Sequence, residues 1–182
     1  VRRSTMGRAL GCAALLATAL IAGSSSSAAA VPALKPAPPA LAPPAGHVLT
    51  AVFAARGVQV YQCAAGAWAF VEPAATLSGV SWRPRGHHDV IHFRGPSWES
   101  TEDGSLVEAR AVANSPVPGA IPELLLQSTR NRGDGVFGRT AYIQRLATQG
   151  GVAPAGACVD GATTGVPYRA EYRFYSPVSS GS

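Results

Sequence analysis

The chain has 182 residues, room for one ordinary domain. With 47% hydrophobic and 14% charged residues, it has the composition of a packed globular protein and not of a disordered one. Its formal net charge of +5 includes Arg2, Arg3 and Arg8; without residues 1–30 all ten acids remain and the charge falls to +2 (5 − 3). The other arginines are scattered, Lys35 is the single lysine, and no basic helix or aromatic–basic array is present, so no nucleic-acid partner is expected.

Residues 1–30 read as a secretory signal peptide. Three arginines precede an apolar run at 9–22, serines follow at 24–27, and Ala28-Ala29-Ala30 supplies the small-residue cleavage pattern, placing cleavage after Ala30. The run is shorter than the roughly 18–20 residues a membrane-spanning helix needs. The expectation is a secreted or extracytoplasmic protein whose mature chain has no transmembrane segment. Cys12 lies at the start of the apolar run and not after it, the wrong place for a lipid anchor. Residues 31–46 carry six prolines and almost no charge, the composition of an extended spacer between the export signal and the domain.

The domain is expected over 47–178, with a flexible tail at 179–182. Residues 47–53 and 58–63 are apolar and β-prone around a turn at 54–57, which suggests a hairpin. A third strand is expected at 67–71 and a short helical turn at 73–77. Pro84 and Gly86 mark a turn at 81–86. The segment DVIHFR at 89–94 alternates, placing Val90, His92 and Arg94 on one face and Ile91 and Phe93 on the other. Gly95-Pro96 bends the chain into 97–100, and Asp103-Gly104 signals a hairpin leading into 106–112. A proline-containing loop at 114–119, a strand at 121–129 and a glycine-charge turn at 130–135 follow. A long strand at 137–148, a loop at 150–165 and a closing strand at 168–175 complete the pattern. With no βαβ alternation and no long amphipathic helix, the fold class is all-β: a single-domain sandwich or small barrel of about eight or nine strands with little helix.

Cys63 and Cys158 remain after export, in a compartment where thiols pair. A disulfide between them would close a loop of about a hundred residues, worth roughly 4–5 kcal/mol on the chain-entropy model. Two buried thiols, or one reactive thiol, are the alternatives.

Most groups able to do chemistry cluster at 87–105, which holds three of the four histidines and four of the ten acids. His87, His88 and His92 with nearby carboxylates suit zinc or copper, although HHxxxH matches no established ligand motif. His88 and His92 share a strand face about 13 Å apart, so one ion could join them only if the chain bends. Glu99 with Glu102 or Asp103 offers an acid–base pair, but Asp103-Gly104 is more simply a turn. No G-x-S-x-G elbow is present. A binding role uses aromatic area instead: Trp68, Trp82, Trp98, Tyr61, Tyr142 and Tyr172 could line a groove, with His92, Arg94, Glu99 and Asp103 as polar anchors for a glycan or a small apolar ligand. Singly, Trp68 and Trp98 are as well explained as core, and Trp82, beside Arg83-Pro84-Arg85, is the best exposed aromatic.

The blocks GVQVYQC (57–63), WAFVEPAATL (68–77), HFRGPSWESTEDGS (92–105), IPELLL (121–126) and YIQRLATQGGVAPAGAC (142–158) occur in that order. Together they resemble the DUF3455 family, secreted proteins of bacteria and fungi without assigned biochemistry, over about residues 44–175. The chain departs from that pattern at Glu123, where tryptophan is expected, and in the irregular segment 78–88. The resemblance implies export but no activity. The function expected is a ligand-binding or cell-envelope-associated module. A metal-dependent hydrolase or redox enzyme using the histidine–carboxylate cluster is the alternative.

Overall fold

The computed structural model describes Val1 and residues 34–178. The expected signal peptide (Val1 apart) and the tail at 179–182 lie outside the described residues. The chain divides into two compact units, Val1–Lys35 and Pro36–Ser182, and the regular structure described lies in the second.

Eight strands follow one short 3-10 turn, Pro39–Leu41: β1 (His47–Ala64), β2 (Ala67–Trp82), β3 (Arg85–Phe93), β4 (Ser97–Ser100), β5 (Leu106–Val117), β6 (Ala120–Arg132), β7 (Tyr142–Gly150) and β8 (Thr163–Pro177). Each pairs antiparallel with the next, and β8 pairs with β1, so the sheet closes into a barrel. Closure satisfies both edges of the sheet, which an open meander would leave exposed. The all-β expectation holds, and of its two architectures the barrel is the one adopted.

Several breaks expected from the sequence are absent. Residues 54–57 are not a turn, because β1 runs straight through them. Gly57 faces inward at its register partner Ala75, where an added Cβ would lie 2.3 Å from the Ala74 carbonyl oxygen. Glycine is there for close approach of two strands, not for a reversal. Residues 73–77 are likewise strand, not helix. Pro73 lies beyond the β2–β3 ladder, which starts at Ala75, so one flank of β2 is unpaired there and tolerates a proline. The expected loop at 114–119 is a strand pair, with β5 and β6 joined through Pro118-Gly119. The β1–β2 turn, Ala65-Gly66, has positive φ at both residues (53° and 74°), as a two-residue hairpin matched to strand twist requires.

Alternation sends every second side chain inward. Ala51, Phe53, Leu77, Val90, Trp98, Val107, Ile143, Tyr172 and Phe174 form one core within the barrel. Phe137 belongs to this core and not to a strand, contrary to the strand expected from 137. Residues 133–141 between β6 and β7 fold into one end of the barrel, where Phe137 packs 4.7 Å from Phe174 and 6.1 Å from Phe53, ring centre to ring centre. The Val136 N–H donates to the Asp103 carboxylate (2.9 Å), the Phe137 N–H to Ser105 Oγ (3.0 Å), and Asn131 Nδ2 to the Phe137 and Thr140 carbonyls. That end is plugged.

A second, smaller cluster lies outside the barrel, where Leu41 is fully buried against Leu125 and Leu146. Gln144 Nε2 donates to the Leu41 carbonyl at 2.6 Å. The proline-rich segment, composed like a spacer, is therefore docked on the sheet at Leu41.

Candidate functional site at the open end of the barrel

The unplugged end holds a cavity of about 490 Å³. Its wall is low on one side for a simple reason. β3 and β4 end early, at Phe93 and Ser97, around the tight Arg94–Gly95–Pro96 connection, while β2 and β6 continue past them. The gap is bordered by Phe70, Glu72, Pro73, Arg94, Pro96 and Pro122. An eight-stranded barrel has an interior that is either filled by side chains or has room for one small molecule. Here the plugged half is filled and the other half is not.

The cavity floor is aromatic. His92 stacks on Trp98 with centroids 4.3 Å apart and planes 9° from parallel, and Tyr172 meets both rings edge-on at 5.3 and 5.5 Å. His92 Nδ1 lies 2.8 Å from the Ser97 carbonyl, which can only accept, so this nitrogen carries the proton. Nε2 is then the acceptor for the Tyr172 hydroxyl at 3.3 Å. Burial, opposed by the Ser97 hydrogen bond and aided by the positive Arg145, pulls His92 down to about 3. It is neutral at any ordinary pH.

Above the floor the exposed wall is mostly apolar, from Phe70, Ile121, Leu124 and Leu126. Two polar groups among it are donors without partners. Gln59 is 3% exposed and its amide nitrogen has no hydrogen-bond partner; the Trp98 indole N–H has none either. Arg145 lines the cavity and donates through Nε and Nη2 to the Pro122 carbonyl (3.1 and 2.8 Å). Among the described residues no carboxylate lies in ion-pair range of it. Its charge reaches across the cavity: burial raises Tyr61, Tyr168 and Tyr172, and Arg145 acts against that rise in all three.

The residues singled out in the sequence are distributed as follows. His92 and Trp98 form the cavity floor and Arg94 its rim, where it pairs with Glu72 at 3.3 Å. Tyr61 and Tyr172 also line it. Glu99 points outward and pairs with Arg132 at 2.8 Å. Asp103 serves the plug. Burial raises its carboxyl, but hydrogen bonds from Ser105, Val136 and Ser100 outweigh this and hold it below the usual carboxylate range. Trp82 is exposed at the end of β2, away from the cavity.

The three histidines are not gathered. His87 is exposed beside Ser78 Oγ, whereas His88 faces inward 3.8 Å from Glu102, separated from His92 by Val90. Among the described residues no group of three or more His, Cys, Asp and Glu side chains is placed to hold a metal ion. Strand alternation is the reason: adjacent histidines point to opposite faces. Sequence reasoning missed Gln59, Arg145 and the β6 leucines. Gln59 and Arg145 sit in alternating strands as isolated polar residues at inward positions, the one signal that marked them.

Cys63 and Cys158 form a disulfide, 95 residues apart. No helix among the described residues is long and apolar enough to cross a membrane.

Fold and site together define a closed antiparallel barrel, plugged at one end and holding a donor-lined cavity at the other. The chain matches the family model described as Protein of unknown function (DUF3455) over residues 44–176, and it belongs to that family. No curated protein and no solved structure matches it.

Proposed function

We propose that the protein is an exported binding module that holds one small, largely apolar molecule in the open half of its barrel. The observation that carries this is the unfilled 490 Å³ space walled by apolar side chains, in which the buried Gln59 amide nitrogen has no partner. A buried polar group without a partner costs about 1–3 kcal/mol, a cost that a ligand acceptor would relieve. The volume lies within the range of small-molecule sites, and the apolar wall favours a hydrocarbon or aromatic body over a sugar. Export fits the basic-apolar-small start of the chain and the disulfide, which persists in oxidising compartments.

The test is titration of the mature protein with the neutral fluorophore N-phenyl-1-naphthylamine. Saturable binding is expected, weakened by roughly tenfold or more in Leu124→Trp, which fills the cavity from β6. Absence of saturable binding to the folded protein, or binding that Leu124→Trp leaves intact, overturns the reading.

A further inference from the structure

The cavity has a chemical bias that its apolar wall does not explain. Two groups of its lining are donors without partners, Gln59 Nε2 and the Trp98 indole N–H. Its one guanidinium without a carboxylate, Arg145, stands inward from β7 between Leu124 of β6 and Tyr172 of β8. The other cation at the opening, Arg94, is neutralised by Glu72. A neutral apolar guest would leave the two donors unanswered and the Arg145 charge, hydrogen-bonded to the Pro122 carbonyl, without a counter-charge, and a cationic guest would be repelled.

We propose that the ligand is a monoanion with an apolar body, a carboxylate on an aliphatic chain, whose head group is held by Arg145 and Gln59 and whose body lies along Phe70, Leu124 and Leu126. This rests on the cavity being a ligand site. One uncompensated guanidinium balances one negative charge; a doubly charged phosphate would bring a second charge into a partly apolar space with nothing to offset it. A carboxylate also presents two acceptor oxygens in a plane, the geometry suited to guanidinium and amide donors.

The experiment is competition against N-phenyl-1-naphthylamine by decanoate, 1-decanol and decylamine, three guests with one body and different heads. In the wild-type protein decanoate is expected to displace the probe at a concentration roughly tenfold or more below decanol, with decylamine weakest. In Arg145→Met the advantage of decanoate over decanol is expected to vanish. The wild-type comparison stands even if Arg145→Met does not fold. Equal displacement by decanoate and decanol, or an advantage that survives folded Arg145→Met, overturns the carboxylate assignment and leaves the cavity reading intact. If neither the probe nor any of the three binds, both fail together.

Discussion

His92 is a histidine whose environment removes its usual use. It is buried, its Nδ1–H is committed to Ser97, and Nε2 accepts from Tyr172, so the ring works as a neutral, oriented surface under the cavity. Its pKa, lowered from 6.5 to about 3, links it to stability. The unfolded state binds the proton below about 6.5 and the folded state only below about 3. Stability from this group is therefore complete above about 6.5 and is lost as pH falls towards 3, by a total of roughly 4–5 kcal/mol. Between pH 6.5 and 5 the carboxylates contribute little, since both Asp103 and Glu102 are held below their ordinary values of 3.8 and 4.5. Urea unfolding midpoints measured across that interval should fall for the wild type and stay nearly flat for His92→Gln. Parallel slopes would show that His92 is not the group responsible.

Among the elements, the segment between β6 and β7 decides which end of the barrel is open. Phe137 is fully buried among Phe53 and Phe174, and the backbone around it is held by Asp103, Ser105 and Asn131. Phe137→Ala should cost about 3–5 kcal/mol, the range for removing a large buried aromatic. Because Trp98 also packs on Phe174, at 6.1 Å, the same change should increase acrylamide quenching of its fluorescence. A loss below about 1 kcal/mol with unchanged quenching would mean that the plug is not part of the core. Glu123 plays a comparable local part at the open end. Its carboxylate accepts the Ala147 N–H at 2.8 Å, at the β7 irregularity where Ala147 has φ of 50°. Glu123 thus supports the strand that carries Arg145.

On the scale of the whole molecule, the closing pair of strands is secured twice. The β1–β8 ladder runs from His47 to Gln62, and beyond it Cys63 is bonded to Cys158 in the β7–β8 connection. That connection is also clasped to the β1–β2 turn, since Asp160 accepts the Gly66 N–H at 2.9 Å and the Cys63 and Ala162 backbones are hydrogen-bonded. Tyr61 adds a bond from its hydroxyl to the Gly151 carbonyl at 2.7 Å, close to Gln59. The disulfide therefore fixes the end of the barrel that carries the cavity. Replacing both cysteines by serine should lower unfolding free energy by roughly 4–5 kcal/mol on the chain-entropy model. Equilibrium urea unfolding of the oxidised wild type and the double variant measures this, and a difference under about 1 kcal/mol would contradict it.

What the sequence determined by itself was what local chemistry writes. Alternation made 89–93 a strand with Val90 and His92 on one face, and the composition excluded helical layers, because period-2 patterning and turn residues act within a few positions. Two cysteines read as export-compartment partners did pair. Proline and glycine misled wherever a barrel uses them for another purpose. Gly57 permits close strand approach, Pro73 stands on an unpaired flank, and Leu41 finds a groove in a segment composed like a tether. Only the tertiary structure decided that β8 returns to β1 and that Phe137 fills one end. It alone set Gln59, Arg145, Trp98 and Tyr172, spread over more than a hundred positions, around one space. Register and closure are sums over long-range pairings, and no short stretch of chain contains them.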